Sequence, residues 1–199
     1  MGAPSAATHE AGEGGLVVAS WGGRTRVLIW LNGPFGIGKS STAEALVRAL
    51  PQALLFDPER LGAVLRPMLA TVDPVDDFQD LRLWRRLVIE TARALRETYG
   101  CPLVMPMTVL RRDYLAELSA GLRRVDADLY CFRLVAPEAV LRARIRGRAD
   151  VDGPHAWCLA HLSDGLQLMG DPAYGVAIPT ADRCPAEVAA AILAHVGWS

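Results

Sequence analysis

The clearest hydrophobic pattern in the sequence is an unbroken apolar run at residues 27–31, Val-Leu-Ile-Trp-Leu, which leads into a glycine-rich segment. Such a run is typical of a central parallel strand, because that kind of strand is buried on both faces. Residues 39–50 then follow a helical pattern, which Pro51 ends. The sequence therefore predicts a strand, a glycine loop and a helix in direct succession.

Apolar segments alternate with amphipathic ones along the rest of the chain. Short apolar segments predict four more strands at residues 53–56, 103–109, 128–135 and 175–179. Helical periodicity predicts helices at 59–69 (interrupted near Pro67), 77–98 (capped by Asp76 or Asp77), 112–122, 137–148, 155–169 and 185–196. This alternation, without an internal repeat, predicts one doubly wound α/β/α domain over residues 26–199 with a five-stranded parallel sheet. Residues 1–25, rich in Gly, Ala and Ser, predict a disordered tail.

Composition and charge narrow the possible functions. The formal net charge is −1 and the isoelectric point is about 6.4, so no overall field draws the 199-residue chain to nucleic acid or to an anionic membrane. No apolar run reaches the roughly 20 residues of a transmembrane helix. The start of the chain also lacks the pattern of a signal peptide. The four cysteines (101, 131, 158 and 184) are far apart, and we expect buried free thiols in a reducing cytoplasm.

The glycine segment contains the only lysine of the chain. It reads Gly33-Pro34-Phe35-Gly36-Ile37-Gly38-Lys39-Ser40, a G-x-x-x-x-G-K-S phosphate loop, whereas the other twenty basic residues are arginine. An ammonium on a flexible stem reaches between two phosphates, where a planar guanidinium is too wide. We expect the loop N–H groups to bind the phosphates of ATP, with Lys39 between the β- and γ-phosphates. Ser40 would bind Mg²⁺, and Ser41 would reach the α-phosphate.

A second candidate is Asp57, which follows the second predicted strand. It falls at the carboxyl edge of the sheet, where open α/β sheets bind ligands, so it could accept a proton from a hydroxyl or hold Mg²⁺. The alternative is a turn or cap residue, because Asp-Pro is a turn signal. The third predicted strand ends in Met107-Thr108 without an aspartate for magnesium. The absence of this aspartate gives more weight to Asp57, and it leaves open weak hydrolysis of ATP or no hydrolysis at all.

The arginines of the helix predicted for residues 137–148 separate into two faces. At about 100° per residue, Arg144 and Arg148 fall beside the apolar row, whereas Arg142 and Arg146 point to solvent. We predict a lid around residues 144–154, in which Arg144 and Arg148 close over the triphosphate and stabilise transferred charge. Structural ion pairs are the alternative.

The helix predicted for residues 77–98 buries Phe78 and Trp84, and Arg85 lies at the margin of this apolar stripe. An arginine beside a core tryptophan requires a partner. A buried carboxylate and an anionic substrate explain Arg85 equally well.

Several segments together resemble the bacterial tunicamycin-resistance family. They are Ile29-Trp30-Leu31-Asn32 with the phosphate loop, Asp57-Pro58-Glu59-Arg60 with Leu65-Arg66, Asp76-Asp77-Phe78-Gln79 with Leu83-Trp84-Arg85, and Pro106-Met107-Thr108. The segment Leu141-x-x-Arg144-x-x-x-Arg148 is also similar to the lid of small-molecule kinases such as chloramphenicol phosphotransferase. The resemblance covers residues 27–196 and implies a P-loop fold of the nucleoside- and shikimate-kinase type. It also implies ATP binding and resistance to tunicamycin, a nucleoside antibiotic.

The resemblance and the residue pattern together define the expected site. We expect catalytic roles for Asp57, Lys39, Arg144 and Arg148, and Mg²⁺ ligands in Ser40 and Asp57. Substrate contacts are expected from the motif residues Arg66, Phe78, Trp84, Arg85, Met107 and Thr108.

The first hypothesis is a cytoplasmic kinase that transfers the γ-phosphoryl group of ATP to a hydroxyl of tunicamycin or a related nucleoside sugar. One alternative is an ATP-gated binding protein that sequesters the drug without chemistry, and another is a housekeeping nucleoside or sugar kinase. The family's founding member is associated with membranes through an amphipathic C-terminal segment. The last predicted helix here is short and Ala-rich with one carboxylate, Glu187, so we do not expect membrane attachment.

Overall fold

The computed structural model describes residues 27–147 and 155–198. All five predicted strands are present: β1 (Leu28–Asn32), β2 (Leu54–Leu55), β3 (Leu103–Pro106), β4 (Leu129–Val135) and β5 (Val176–Pro179). They form one sheet in the order β2-β3-β1-β4-β5, and every pairing is parallel. The prediction of a five-stranded parallel sheet is therefore confirmed. Strand β1 is central and buried along its whole length.

Eight helices connect or flank the strands in the described residues. They are α1 (Lys39–Ala49), α2 (Pro58–Leu69), α3 (Arg82–Tyr99), α4 (Arg112–Val125), α5 (Glu138–Arg146), α6 (His155–Ala160), α7 (Leu162–Gly170) and α8 (Pro185–His195). Two short 3₁₀ turns, Phe78–Asp80 and Pro172–Tyr174, precede α3 and β5. Helix α1 packs on α8, and α3 packs on α4, to complete the three-layer architecture. Nothing in these described helices is both long and apolar enough to cross a membrane.

Strand β3 ends three residues earlier than predicted, at Pro106. Two side chains cause this, because they take over as acceptors for the backbone beyond the strand. Thr108 N–H donates to Glu59 Oε1 at 2.9 Å, and Val109 N–H donates to Asn32 Oδ1 at 3.0 Å. The chain thus leaves the ladder with its donors satisfied.

Helix α3 begins at Arg82, not at residue 77 as predicted. Asp77 instead caps the 3₁₀ turn, where its Oδ1 accepts from Gln79 N–H at 2.9 Å. The guanidinium of Arg85 donates to the carbonyls of Gln79 (2.6 Å) and Asp80 (3.2 Å). Because these carbonyls bond to a side chain, the turn is stable without joining the helix.

Other differences from the prediction are local. Helix α2 runs through Pro67 without an end there, and the single helix predicted for 155–169 is divided at His161 into α6 and α7. The cysteines are free, but only Cys101 and Cys158 are buried, and Cys184 is exposed. The predicted tail and most of the predicted lid, including Arg148, lie outside the described residues.

The largest core side chains lie beneath the carboxyl edge of the sheet, and two of them bond to backbone there. Trp30 and Trp84 are fully buried. Trp30 Nε1–H donates to the Met107 carbonyl at 3.1 Å, and Trp84 Nε1–H donates to the Pro58 carbonyl at 2.9 Å. A buried indole requires such an acceptor. The two bonds fix the chain just after β3 and at the start of α2, where the candidate site lies.

Candidate nucleotide site

A cavity of about 660 Å³ lies where β1, β2 and β3 end. Parallel strands bring their carboxyl ends to one edge, so the segments that follow them meet there. The cavity is lined by most of the phosphate loop and the start of α1, by residues after β2 and β3, and by residues near α5 and α8: Phe35, Gly36, Ile37, Gly38, Lys39, Ser40, Ser41, Thr42, Asp57, Glu59, Pro106, Arg144, Gly147, Thr180, Arg183, Pro185 and Val188. The predicted loop residues Gly33 and Pro34 are buried behind it.

The N-terminus of α1 opens into this cavity. Gly38 precedes the helix in the left-handed conformation (φ 101°), and neither a capping side chain nor an acidic first-turn residue covers the helix end. Gly36 also has a positive φ (77°), and a Cβ there would lie 2.8 Å from Ile145 Cγ1 of α5. The loop therefore presents backbone N–H groups and the positive end of an 11-residue helix to an anion.

The ammonium group of Lys39 lies against the loop. Its Nζ donates to the carbonyls of Gly33 (3.0 Å) and Pro34 (3.2 Å), and lies 5.5 Å from the centre of the Phe35 ring. These bonds hold the single lysine at the cavity wall, next to the exposed hydroxyls of Ser40 and Ser41.

Asp57 is both a helix cap and a carboxylate of the cavity, the two roles that the sequence predicted as alternatives. It caps α2, since its Oδ1 accepts from Glu59 N–H at 3.0 Å, and its carboxylate also lines the cavity. Burial, followed by the negative charge of Glu59, raises the pKa of Asp57 above its ordinary value. A carboxylate with a raised pKa is a better proton acceptor, so capping does not remove its capacity for base chemistry.

A second carboxylate, Glu59, lines the same cavity, and the residue pattern did not single it out. Its Oε1 accepts from the backbone N–H of Thr108 at 2.9 Å. The acidic group that β3 lacks at its end is thus supplied by α2. The signal available in the sequence was its position, two residues after Asp57 at the same sheet edge.

Asn32 was also missed as a functional residue. Its Oδ1 accepts from Gly33 N–H at 2.8 Å and from Val109 N–H at 3.0 Å, and its Nδ2 donates to the Val109 carbonyl at 3.1 Å. This buried amide ties the first residue of the phosphate loop to the chain after β3. It therefore fixes where the loop begins relative to the cavity.

Arg144 lines the cavity, and its guanidinium is bonded to the protein. It donates to the Ile37 carbonyl (3.2 Å), to the hydroxyl and carbonyl of Thr180 (3.1 and 2.7 Å) and to the Ala181 carbonyl (3.4 Å). These bonds join α5 to the phosphate loop and to the chain after β5. Arg142 pairs with Glu138 at 2.7 Å on the outer face, as the helical geometry predicted.

None of the six predicted substrate residues lines this cavity. Trp84 and Met107 are fully buried, and Thr108 is almost so. Phe78 packs against Trp84 with ring centres 5.1 Å apart, and Arg66 donates to the Asp76 carbonyl at 3.1 Å. Arg66 is exposed on α2, whereas Trp84, Met107 and Thr108 are buried side chains away from the cavity.

Arg85 pairs with a carboxylate, that of Glu117, which is one of the two kinds of partner expected for it. Its Nε lies 2.6 Å from Glu117 Oε2, and its guanidinium lies 4.1 Å from the centre of the Tyr114 ring. With the bonds to Gln79 and Asp80, this arrangement accounts for a buried arginine without an anionic substrate.

The side chains of the cavity could bind Mg²⁺ if phosphate oxygens supplied the remaining ligands. Among the residues that the structure describes, no group of three or more His, Cys, Asp and Glu side chains could hold a metal ion. Mg²⁺ typically binds through one or two carboxylates, phosphates and water, and Ser40, Asp57 and Glu59 all line the cavity.

Comparison with known proteins agrees with this geometry. The AAA domain model matches residues 28–169. The tunicamycin resistance protein of Deinococcus radiodurans is similar at 26% identity with a TM-score of 0.69, over 87% of this chain and 97% of that one. A gluconokinase from Sinorhizobium meliloti (22%, TM-score 0.59, 87% and 92% covered) shares the fold. So does a shikimate kinase from Acinetobacter baumannii (18%, 0.57, 86% and 93%). No curated protein matches the chain in sequence.

The predicted fold and the resemblance to tunicamycin-resistance proteins are therefore confirmed. The family model covers most of the chain, and its match includes the phosphate loop, Asp57 and Arg144. The gluconokinase and the shikimate kinase agree with this chain in fold. The chain belongs to the AAA domain family, as an ATP-binding, kinase-like member with a phosphate loop at residues 33–40.

Proposed function

We propose that this protein is an ATP-dependent phosphotransferase that acts on a hydroxyl of a tunicamycin-like nucleoside antibiotic or a related nucleoside sugar. The observation that carries the proposal is one shared cavity, which is lined both by the phosphate loop with Lys39 and by the carboxylate of Asp57. The similarity to a tunicamycin resistance protein supports the substrate class.

Each residue has a role that follows from its position. The open N-terminus of α1 and the loop N–H groups bind the phosphates, and Lys39 leaves the Gly33 and Pro34 carbonyls to bind the β- and γ-phosphates. The acceptor oxygen forms a bond to the γ-phosphorus while the bond to the β–γ bridging oxygen breaks, and Asp57 takes the hydroxyl proton. Arg144 holds the loop at Ile37, and Arg148 would neutralise charge on the transferred group.

Mg²⁺, when bound with ATP, would offset negative charge on the phosphate oxygens. The residues that fit it are Ser40, through its hydroxyl at the start of α1, and Asp57, with Glu59 as a second carboxylate in the same cavity. Glu59 also accepts from Thr108 N–H, which orients its carboxylate at the end of β3.

The test is mass spectrometry of tunicamycin incubated with the full chain, Mg²⁺ and ATP. We expect the antibiotic to gain the mass of one phosphoryl group, and we expect Lys39→Ala to abolish ATP binding and product together. Asp57→Asn is the sharper variant, because asparagine is an equally good helix cap and α2 stays capped. It should retain ATP binding and stability but lose transfer. Recovery of unmodified tunicamycin from cells that the protein protects would contradict the proposal.

One observation favours a second candidate, an ATP-gated protein that binds the drug without transferring phosphate. Strand β3 ends at Pro106 and not at the aspartate that many phosphate-loop enzymes place there, and the carboxylate near its end, Glu59 of α2, already accepts from Thr108 N–H. This candidate predicts tight stoichiometric binding, no phosphorylated product, and protection limited by the number of protein copies. Titration of tunicamycin with and without ATP separates the two candidates.

A further inference from the structure

A second cavity, of about 590 Å³, lies between the 3₁₀ turn Phe78–Asp80, the chain that leads into α4, and α7. Its position relative to the nucleotide cavity follows from Gly165 of α7. A Cβ at Gly165 would lie 2.4 Å from Pro34 Cβ in the phosphate loop, and the preceding residue of α7, Asp164, lines the second cavity. The second cavity therefore lies beside the phosphate loop.

The walls of the second cavity carry more negative than positive charge. Four aspartates line it, and the only arginines that do so are Arg111 and Arg112 among the described residues. Both arginines have carboxylate partners. Arg112 lies 2.6 Å from Asp171, and Arg111 lies 2.6 Å from Asp113 and 3.4 Å from Asp80. Each guanidinium therefore has a carboxylate beside it that offsets its charge.

The other two aspartates of the wall, Asp77 and Asp164, form no ion pair with an arginine among the described residues. Asp77 caps the 3₁₀ turn and is half-buried, and Asp164 lies on the exposed first turn of α7. Burial raises the pKa of Asp77, and the nearby negative charges of Asp80 and Glu59 raise it further, against the opposing effect of His161. Like charges that disfavour an ionised carboxylate also disfavour an anionic ligand beside it.

The tyrosines of the wall leave little room for ring stacking. Arg85 and Arg111 each lie 4.1 Å from the centre of the Tyr114 ring, and two guanidinium groups at that distance must cover opposite faces. The Tyr114 hydroxyl donates to Asp80 Oδ1 at 2.7 Å, and the Tyr174 hydroxyl donates to the Leu110 carbonyl. The aspartates of the wall are therefore the groups that remain to accept hydrogen bonds from a ligand.

We propose that this second cavity receives the hydroxyl acceptor, and that its negative charge excludes acceptors that carry a carboxylate or phosphate group. Neutral polyhydroxyl compounds bind as hydrogen-bond donors to the aspartates, and compounds with a protonated amine bind more tightly. The acceptor role rests on the proposed phosphotransferase, whereas the selection by charge rests on the cavity alone.

Three sugars of similar size and different charge test the selection: glucosamine (cationic), glucose (neutral) and gluconate (anionic). Calorimetric titration of the full chain at neutral pH should give glucosamine the highest affinity, glucose roughly tenfold less, and gluconate no detectable binding. Asp164→Asn and Asp77→Asn should each lower the affinity for glucosamine severalfold. The affinity for glucose should stay unchanged, because asparagine retains the hydrogen bonds and the cap. Glu97→Gln removes an exposed carboxylate that does not line the cavity, and serves as the matched control.

Equal affinity for gluconate and glucose, or no binding of any of the three sugars, would overturn the proposal. So would equal weakening by Glu97→Gln and Asp164→Asn. Lys39→Ala tests the two proposals separately, since it should remove ATP binding and leave glucosamine binding intact. If the sugars bind in the expected order but no acceptor is phosphorylated with ATP, the phosphotransferase proposal fails and selection by charge stands.

Discussion

Gly165 allows α7 to pack directly on the phosphate loop. A Cβ at this position would lie 2.4 Å from Pro34 Cβ and 3.4 Å from Pro34 Cα. The Pro34 ring is rigid and buried, so Gly165→Ala requires helix and loop to separate by about 1 Å to reach an ordinary contact. The Pro34 carbonyl accepts from Lys39, so the separation also displaces one of the lysine's two loop contacts.

The expected size of the effect combines two opposing contributions. Overpacking at a rigid contact costs about 1–3 kcal/mol, and alanine in a helix interior recovers about 1 kcal/mol relative to glycine. A net destabilisation of about 1 kcal/mol lowers the Tm of a chain of this size by about 2–4 °C. Displacement of the loop should in addition weaken ATP binding roughly fivefold to tenfold, because the phosphate contacts depend on loop geometry.

Gly170 in the same helix provides the matched control, since a Cβ there meets no atom within 4 Å. Gly170→Ala should raise the Tm slightly, through a helix-propensity gain of up to about 1 kcal/mol, and leave ATP affinity unchanged. Thermal denaturation and titration with ATP measure both properties for the two variants. If Gly165→Ala melts as high as Gly170→Ala and binds ATP as the parent does, the packing argument is wrong.

Two further predictions concern the site, and a third concerns a buried ion pair at the amino-terminal ends of β3 and β4. Because Glu59 raises the pKa of Asp57, the acid limb of kcat/KM should shift to lower pH in Glu59→Gln; an unchanged limb would exclude Asp57 as the base. Asn32→Ala leaves buried backbone groups without partners and should cost about 2–4 kcal/mol in urea denaturation, whereas a loss below 1 kcal/mol would contradict the role of its bonds. Arg96 of α3 forms a largely buried ion pair with Asp126, which follows α4. Arg96→Met removes the ionic partner of Asp126 and should cost about 3–5 kcal/mol, and Asp126→Leu in the same chain should restore most of it if the pair is the cause.

Local periodicity made the central part of the site predictable. The apolar run of β1, the glycine loop and α1 are adjacent in sequence, and their order alone places Lys39 at the carboxyl edge of the sheet. The separation of Arg144 from Arg142 also followed from the helix repeat, and the structure gives them inner and outer partners respectively.

Partners distant in sequence explain what the pattern did not predict. Strand β3 ends where Asn32 and Glu59 supply acceptors from elsewhere in the chain, and periodicity contains no information about either contact. Similarly, the carbonyls that Arg144 binds at Thr180 and Ala181 are brought to it only by the pairing of β4 with β5. The sequence predicted Asp57 either as a cap of α2 or as a residue of the site. Side-chain geometry was needed to find that Asp57 both caps the helix and lines the cavity.

The position of Lys39 makes the nucleotide site chemically addressable. No other side chain in the sequence carries a primary amine, so an amine-reactive acylating reagent has one internal target, and a lysine-specific protease has one peptide bond to cut. That bond joins Lys39 to Ser40 in the first turn of α1, where the amine donates to two loop carbonyls. Cleavage or acylation at this residue therefore reports directly on the opening of the phosphate loop, and protection by ATP gives a binding assay that requires no label and no engineered residue.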